Sequence, residues 1–342
     1  MRIIRIRNFI VVLAIGATFT LIGCGRTYSA QIFAMGTFFD IRLFDGSQAN
    51  LTSIRNEIEE MDRLFDAHEN RGNGGLWHLN NHFYVPEGSN ATRPTEFLEV
   101  DSRLIEIIEL GLKYEELTNG YFNIALGRVV NRWKQVIQGE AAFPTDEELE
   151  SLRESTLSSN IEFSHGNRIR LLNNVQIDLG SIAKGYAALR IKEYLGRNNV
   201  RRFLINAGTS TITLGSYVDG SRFNVSIRNP LRLGEFLTRI SLQDISISTS
   251  ADNIQYLEIG NRRYHHIINP FTLRPEQIFH SVSVISDNPL LTDIISTALF
   301  SMSLEAGLEL HAQLAEIYSL EVLWFGTNQL LTRTDGFRSY ET

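Results

Sequence analysis

The sequence predicts an α+β protein in which mixed, antiparallel-rich sheets pack against helices. Three observations carry this. Early segments space their apolar residues at helical intervals; from residue 160 onward short strand-like runs take over, interrupted by two helical stretches. The composition, 43% hydrophobic and 21% charged, suits a large core in a globular body rather than long disorder or several membrane spans.

In chain order, Arg2, Arg5 and Arg7 precede an apolar stretch over residues 9–22, the pattern of an export signal. It ends at Gly23-Cys24, and a small residue directly before a cysteine resembles the lipobox of bacterial lipoproteins. The expectation is a signal peptide over 1–23 and an acylated Cys24 with a linker over 24–30. A single domain over 31–340 then lies on the extracytoplasmic side of the cell membrane. Acyl chains at about 0.8 kcal/mol per buried methylene would hold it there. Cys24 is the only cysteine, so once acylated it leaves no thiol for a disulfide, a zinc thiolate or a nucleophile.

Residues 31–43 alternate apolar and polar positions as a strand does. Residues 51–65 and 102–118 read as core helices, with Ile54, Ile58, Met61 and Leu64 on one face and Leu104, Ile107, Ile108 and Leu112 on another. A Gly- and Asn-rich loop over 70–75 separates them, after which Trp77 and Leu79 return to the core. Residues 121–133 are largely apolar, and Pro144, Thr145 and the carboxylates of 146–148 mark a helix start. Strands are expected at 161–163, 168–172, 175–179, 203–206, 211–214, 223–227, 237–241 and 245–248, and helices at 182–195 and 293–302.

The net charge of -7 and the lack of a lysine–arginine run exclude a nucleic-acid-binding surface. Three segments carry chemistry. At 175–187 an expected strand turns through Gly180 into a helix bearing Lys184; free N–H groups and a cation there suit an anion. On the late helix Asp293, Ser296 and Thr297 share a face at i, i+3 and i+4, three oxygens suited to a hard cation such as magnesium; a cap at Thr292 or Asp293 is the plainer alternative. In Arg262-Arg263-Tyr264-His265-His266 adjacent strand histidines point to opposite faces, so one alone can reach a pocket, as a general base or as a structural residue.

In this order the segments resemble the ApbE family of FAD:protein FMN transferases over nearly the whole mature chain. The resemblance rests on Ala34-Met35-Gly36-Thr37, Gly120-Tyr121-Phe122-Asn123-Ile124, the segment 178–187, Asn206-Ala207-Gly208 and Ser248-Thr249-Ser250-Ala251-Asp252. It continues through His266-Ile267-Ile268-Asn269-Pro270, Ser281-Val282-Ser283-Val284 and the segment 292–298. It implies an ApbE-like, T-fold-like architecture that holds FAD without a Rossmann motif. It further implies an FAD site at Met35, Tyr121, Phe122, Asn123, Asp178, Lys184 and Ile268, and Mg²⁺ at Ser181, Asp293, Ser296 and Thr297.

By the same resemblance FMN passes from FAD to a Thr or Ser hydroxyl of an acceptor flavoprotein, such as a subunit of a membrane redox complex, with release of AMP. His266 would take the hydroxyl proton and Lys184 would neutralise phosphate charge. The alternatives are FAD hydrolysis to FMN and AMP, a flavin-binding lipoprotein without chemistry, and an anchored solute-binding subunit. The chain departs from the family pattern at Asn123 and Asn269, where aspartate is usual, and at Ala251 and Thr209, where glycine is.

Overall fold

The computed structural model describes residues 26–342 apart from Thr209 and Asn261. The expected signal segment and Cys24 lie outside the described residues. No helix among those described is long and apolar enough to cross a membrane.

An eight-stranded sheet organises the chain. Its strands, in spatial order, are Tyr28–Ala34, Thr37–Leu43, Phe203–Ala207, Thr211–Leu214, Ser246–Ala251, Phe279–Ser286, Leu320–Gly326 and Leu331–Arg333, and every pairing is antiparallel. Spatial order equals chain order, so helices and small sheets enter as excursions between neighbouring strands. The helices are α1 (Gln48–Phe65), α2 (Leu76–His82), α3 (Ser102–Leu117), α4 (Gly127–Ile137), α5 (Asp146–Leu152), α6 (Ala183–Arg197), α7 (Pro289–Phe300) and α8 (Leu304–Ala315).

The main core lies between the sheet and helices that include α1, α3, α6 and α7. Helix α1 buries Leu51, Ile54, Ile58, Met61 and Leu64 on one face and starts in a capping box between Ser47 and Asn50. Helix α7 is buried at every residue except Thr297, with Asn288 as its N-cap and Pro289 in the first turn. The alternative role of Thr292 or Asp293 as cap is thereby excluded. A second cluster, on the hairpin Phe223–Arg228/Phe236–Leu242 and Phe337, packs with Ile247, Ile285 and Leu323 of the sheet. A third joins α4 and α5 to Ile268 and Leu273.

The structure departs from the sequence expectations in four places. The strand expected over 31–43 is a hairpin: Met35 and Gly36 both take left-handed φ, 51° and 69°, and reverse the chain in a two-residue turn. Its first strand begins at Tyr28, inside the expected linker. The strand expected at 175–179 reduces to one bridge from Gln176 to Leu126. The buried Asn80 side chain of α2 takes both backbone groups of Ile177, each at 2.8 Å, leaving no strand ladder to form. Finally, α2, α4, α8, the strand Phe279–Ser286 and the two C-terminal strands are among the elements added.

Candidate active site

The polar face of α7 meets a matching row on the sheet. Alternate residues of Ser246–Ala251 point the same way, and Ser246, Ser248 and Ser250 form a hydroxyl ladder. Ser246 bonds Thr213 at 3.2 Å, Ser248 bonds Thr211 at 3.1 Å and Thr292 at 2.7 Å, and Ser250 bonds Ser296 at 3.0 Å and Thr297 at 3.3 Å. Ser296 and Thr297 also donate to the Asp293 carbonyl. The i, i+3, i+4 spacing therefore does gather three residues on one face.

Asp293 is 5% exposed and has no ion-pair partner among the described residues. Its carboxylate accepts from the Gly185 N–H at 2.9 Å and the Thr211 hydroxyl at 3.1 Å. Burial pushes its pKa up, while Lys184 and these two donors pull it down. The contact with α6 needs Gly185, because a Cβ there would lie 2.6 Å from that of Asp293 and 2.8 Å from the Pro289 carbonyl. Lys184, one residue earlier, is half-buried and returns its Nζ to the Gly180 carbonyl at 3.0 Å. Asp178 closes the turn before α6 by accepting from the Gly180 N–H, and Ser181 sits half-buried in that turn.

The two histidines face opposite ways, as strand geometry requires. His265 is 1% exposed and bonds the Glu276 carbonyl through Nε2. His266 is exposed, and its Nδ1 lies 2.9 Å from the Ile254 carbonyl oxygen. Desolvation, the neighbouring His265 and then Lys184 hold its pKa well below the ordinary 6.5, so the ring is neutral at pH 7. Lys184 thus acts on the charge of both His266 and Asp293, although the three come from distant segments.

The other expected flavin-site residues occupy mixed positions. Met35 holds the tip of the first hairpin, with its N–H on Asp62 of α1. Tyr121 is half-buried and edge-to-face with the exposed Phe271 at 4.8 Å. Phe122 is 1% exposed, so its ring belongs to the core and only its backbone is available to a ligand. Ile268 is buried in the third cluster. Asn123 donates Nδ2 to the Thr156 carbonyl at 3.0 Å and accepts from the Ala125 N–H. Asn269 donates to Glu276 at 2.9 Å and to the Ser301 carbonyl at 3.1 Å. An aspartate at either place would meet an acceptor where the amide now donates.

Sequence reading gave no role to Thr211, Ser250 or Gly185, although the last two stand in the motifs it quoted. The alternating serines of Ser246-Ile247-Ser248-Thr249-Ser250 are the signal that would have found the ladder.

No group of three or more His, Cys, Asp or Glu side chains that could hold a metal forms among the described residues. The donors around Asp293 are instead one buried carboxylate and several hydroxyls. That all-oxygen set, around an acid with no ion-pair partner, fits a hard cation that keeps part of its water shell.

A cavity of about 310 Å³ lies on the His265 side of the strand, lined by Asp252, Arg263, His265, Glu276 and His280. It is separate from the face that His266 shares with Lys184.

A buried acid, a helix-start lysine and an accessible neutral histidine define an α+β protein equipped for acid–base chemistry on an anionic ligand. Residues 35–321 match the ApbE family, and the chain belongs to it. It is 25% identical over 346 residues to the FAD:protein FMN transferase of Vibrio cholerae serotype O1, covering 98% of this chain and 96% of that one. It is 28% identical over 302 residues to the same-named protein of Treponema pallidum, covering 82% and 80%. The ApbE protein of Thermotoga maritima superposes with a TM-score of 0.80 at 24% identity, over 93% of this chain and 100% of that one, a likeness of fold.

Proposed function

We propose that this protein is a Mg²⁺-dependent FAD:protein FMN transferase that moves FMN from FAD onto a Thr or Ser hydroxyl of an acceptor flavoprotein and releases AMP. The observation that carries the reading is the place of Lys184: it precedes Gly185, whose N–H meets the Asp293 carboxylate at 2.9 Å, and its charge also reaches His266. The names of the relatives in Vibrio cholerae and Treponema pallidum support it.

In this reading FAD is the substrate. Lys184 and the N–H groups at the start of α6 bind its pyrophosphate, and Tyr121, Asp178, Met35, Asn123 and the backbone near Phe122 and Ile268 surround the flavin half. His266 takes the proton of the incoming hydroxyl, a role open to it because its ring is accessible and neutral. Asp293, Ser296, Thr297 and Ser181 would hold Mg²⁺, which supplies neutralisation of the charge that builds on the transferred phosphoryl group and the AMP leaving group. Anchoring through Cys24, with the domain over 31–340 outside the cytoplasm, would bring the site to acceptors in the membrane.

The test is co-incubation of the full chain with FAD, Mg²⁺ and membrane proteins, resolved on a denaturing gel scored for flavin fluorescence. A fluorescent acceptor band with matching AMP release is expected. AMP release with no labelled acceptor would replace transfer by hydrolysis, and no AMP release would replace it by flavin binding alone.

A further inference from the structure

His266 is held by a carbonyl that little else holds. Its Nδ1 lies 2.9 Å from the Ile254 carbonyl oxygen. A carbonyl only accepts, so Nδ1 carries the proton and Nε2 carries the lone pair. The carrier of that carbonyl is weakly packed: Asn253, Ile254 and Gln255 are all exposed, and Gln255 takes a left-handed φ of 49°. A turn of this kind in a non-glycine residue costs about 1 kcal/mol or more and persists only when its flanks determine it.

Both flanks are fixed, and the upstream one by a charged clamp. Asp252 is 4% exposed; one oxygen accepts from Arg263 at 2.9 Å, the other pairs with His280 Nδ1 at 2.7 Å, and its N–H donates to the His280 carbonyl at 3.0 Å. Downstream, Tyr256 pairs across the hairpin with His265, and its ring lies under the Arg263 guanidinium at 4.9 Å. Arg263 therefore grips both ends of the 253–255 turn, and Asp252 ties that grip to the main sheet through His280.

We propose that Asp252, clamped by Arg263 and His280, is a positioning residue for the reaction: it fixes the Ile254 carbonyl, which sets the tautomer and aim of His266. None of the three clamp residues needs to touch FAD or acceptor. The inference rests on the reading of His266 as base, but its geometric half stands apart from that reading.

The experiment is selective ¹⁵N-histidine labelling of the full chain, with the His266 ring signals assigned by their loss in His266→Ala. The wild type is expected to show a single tautomer protonated at Nδ1. In Asp252→Asn the two ring nitrogens are expected to move toward an averaged, mixed-tautomer signature. The turnover number for flavin transfer falls about 10- to 100-fold, while KM for FAD stays within about twofold. A purely structural role would move KM and thermal stability but leave the tautomer as it is. An unchanged Nδ1–H signature in Asp252→Asn overturns the proposal. Should that variant fail to fold, His280→Gln, which keeps the Asp252–Arg263 pair, must show the same shift in smaller degree, and no shift there overturns it equally. A changed tautomer with unchanged turnover upholds the positioning and instead removes His266 from the role of base.

Discussion

The two halves of the candidate site are built in opposite ways. The acidic half stands on α7 and the central strands, where Asp293, Thr211, Ser248 and Ser296 are buried and bonded to one another. The basic half stands on a surface hairpin, where His266 is exposed and answers to an exposed turn. Packing fixes the first, so its geometry is as rigid as the core. Hydrogen bonds and one ion-pair network fix the second, so it can shift by small amounts without cost to the core. A rigid buried carboxylate and a histidine on a looser surface segment would suit the proposed transfer to a protein acceptor.

This contrast predicts that changes to the acidic half cost both stability and activity, and changes to the basic half cost activity alone. The largest effect is expected for Asp293→Ala, which also strands the Gly185 N–H and the Thr211 hydroxyl: flavin transfer in the gel assay should fall about 1000-fold, roughly 4 kcal/mol, with a lowered Tm. The same acid gives a pH signature. Its folded pKa lies above the unfolded value of 3.8, so the folded chain binds the proton more tightly. Its contribution is therefore present below that value and lost as pH rises through the folded pKa. Denaturant titrations without divalent cations should show stability falling over that range. Asp293→Asn should flatten this part of the profile, and Mg²⁺ should raise the Tm of the wild type but not of the variant.

Next, His266→Ala should lower transfer about 100-fold with stability within about 0.5 kcal/mol, measured by the same assay and by thermal melting. Equal loss of stability would erase the contrast. In the wild type the acid limb of the rate profile should lie below 6.5, the ordinary imidazole value, because desolvation by neighbouring protein, His265 and Lys184 all disfavour the charged ring.

Gly185→Ala drives a methyl group into Asp293 and the Pro289 carbonyl; overpacking there should cost about 1–3 kcal/mol in denaturant unfolding. The smallest effect is expected at Asn269, beside the basic half. Asn269→Asp puts a carboxylate against Glu276 and the Ser301 carbonyl, at about 1 kcal/mol, and the loss should shrink as the pH is lowered toward the carboxylate range.

Where local pattern dictates local structure, the sequence was legible. The α1 and α3 helices follow their apolar stripes, and Asp293, Ser296 and Thr297 fall on one face because helical periodicity puts them there. The opposed directions of His265 and His266 follow from the strand alone. What escaped depended on partners far along the chain. Ile177 looks like a strand residue, and only Asn80, 97 positions away, prevents it. Met35 takes a left-handed turn position that its residue type does not advertise, and Gly36 beside it is the one local signal. Thr211 and Ser250 carry no charge and stand among other serines and threonines, so they gain meaning only once the sheet lays them beside α7.

The hydroxyl ladder has one more property. At Ser248–Thr292 and Ser250–Ser296 either oxygen can be the donor. A change of charge at Asp293, by protonation or by arrival of a cation, can therefore be answered by rotating O–H bonds about fixed C–O axes. The interior of this protein can reverse its polarisation while its heavy atoms stay in place, a dielectric response built from serine and threonine inside a frame that does not bend.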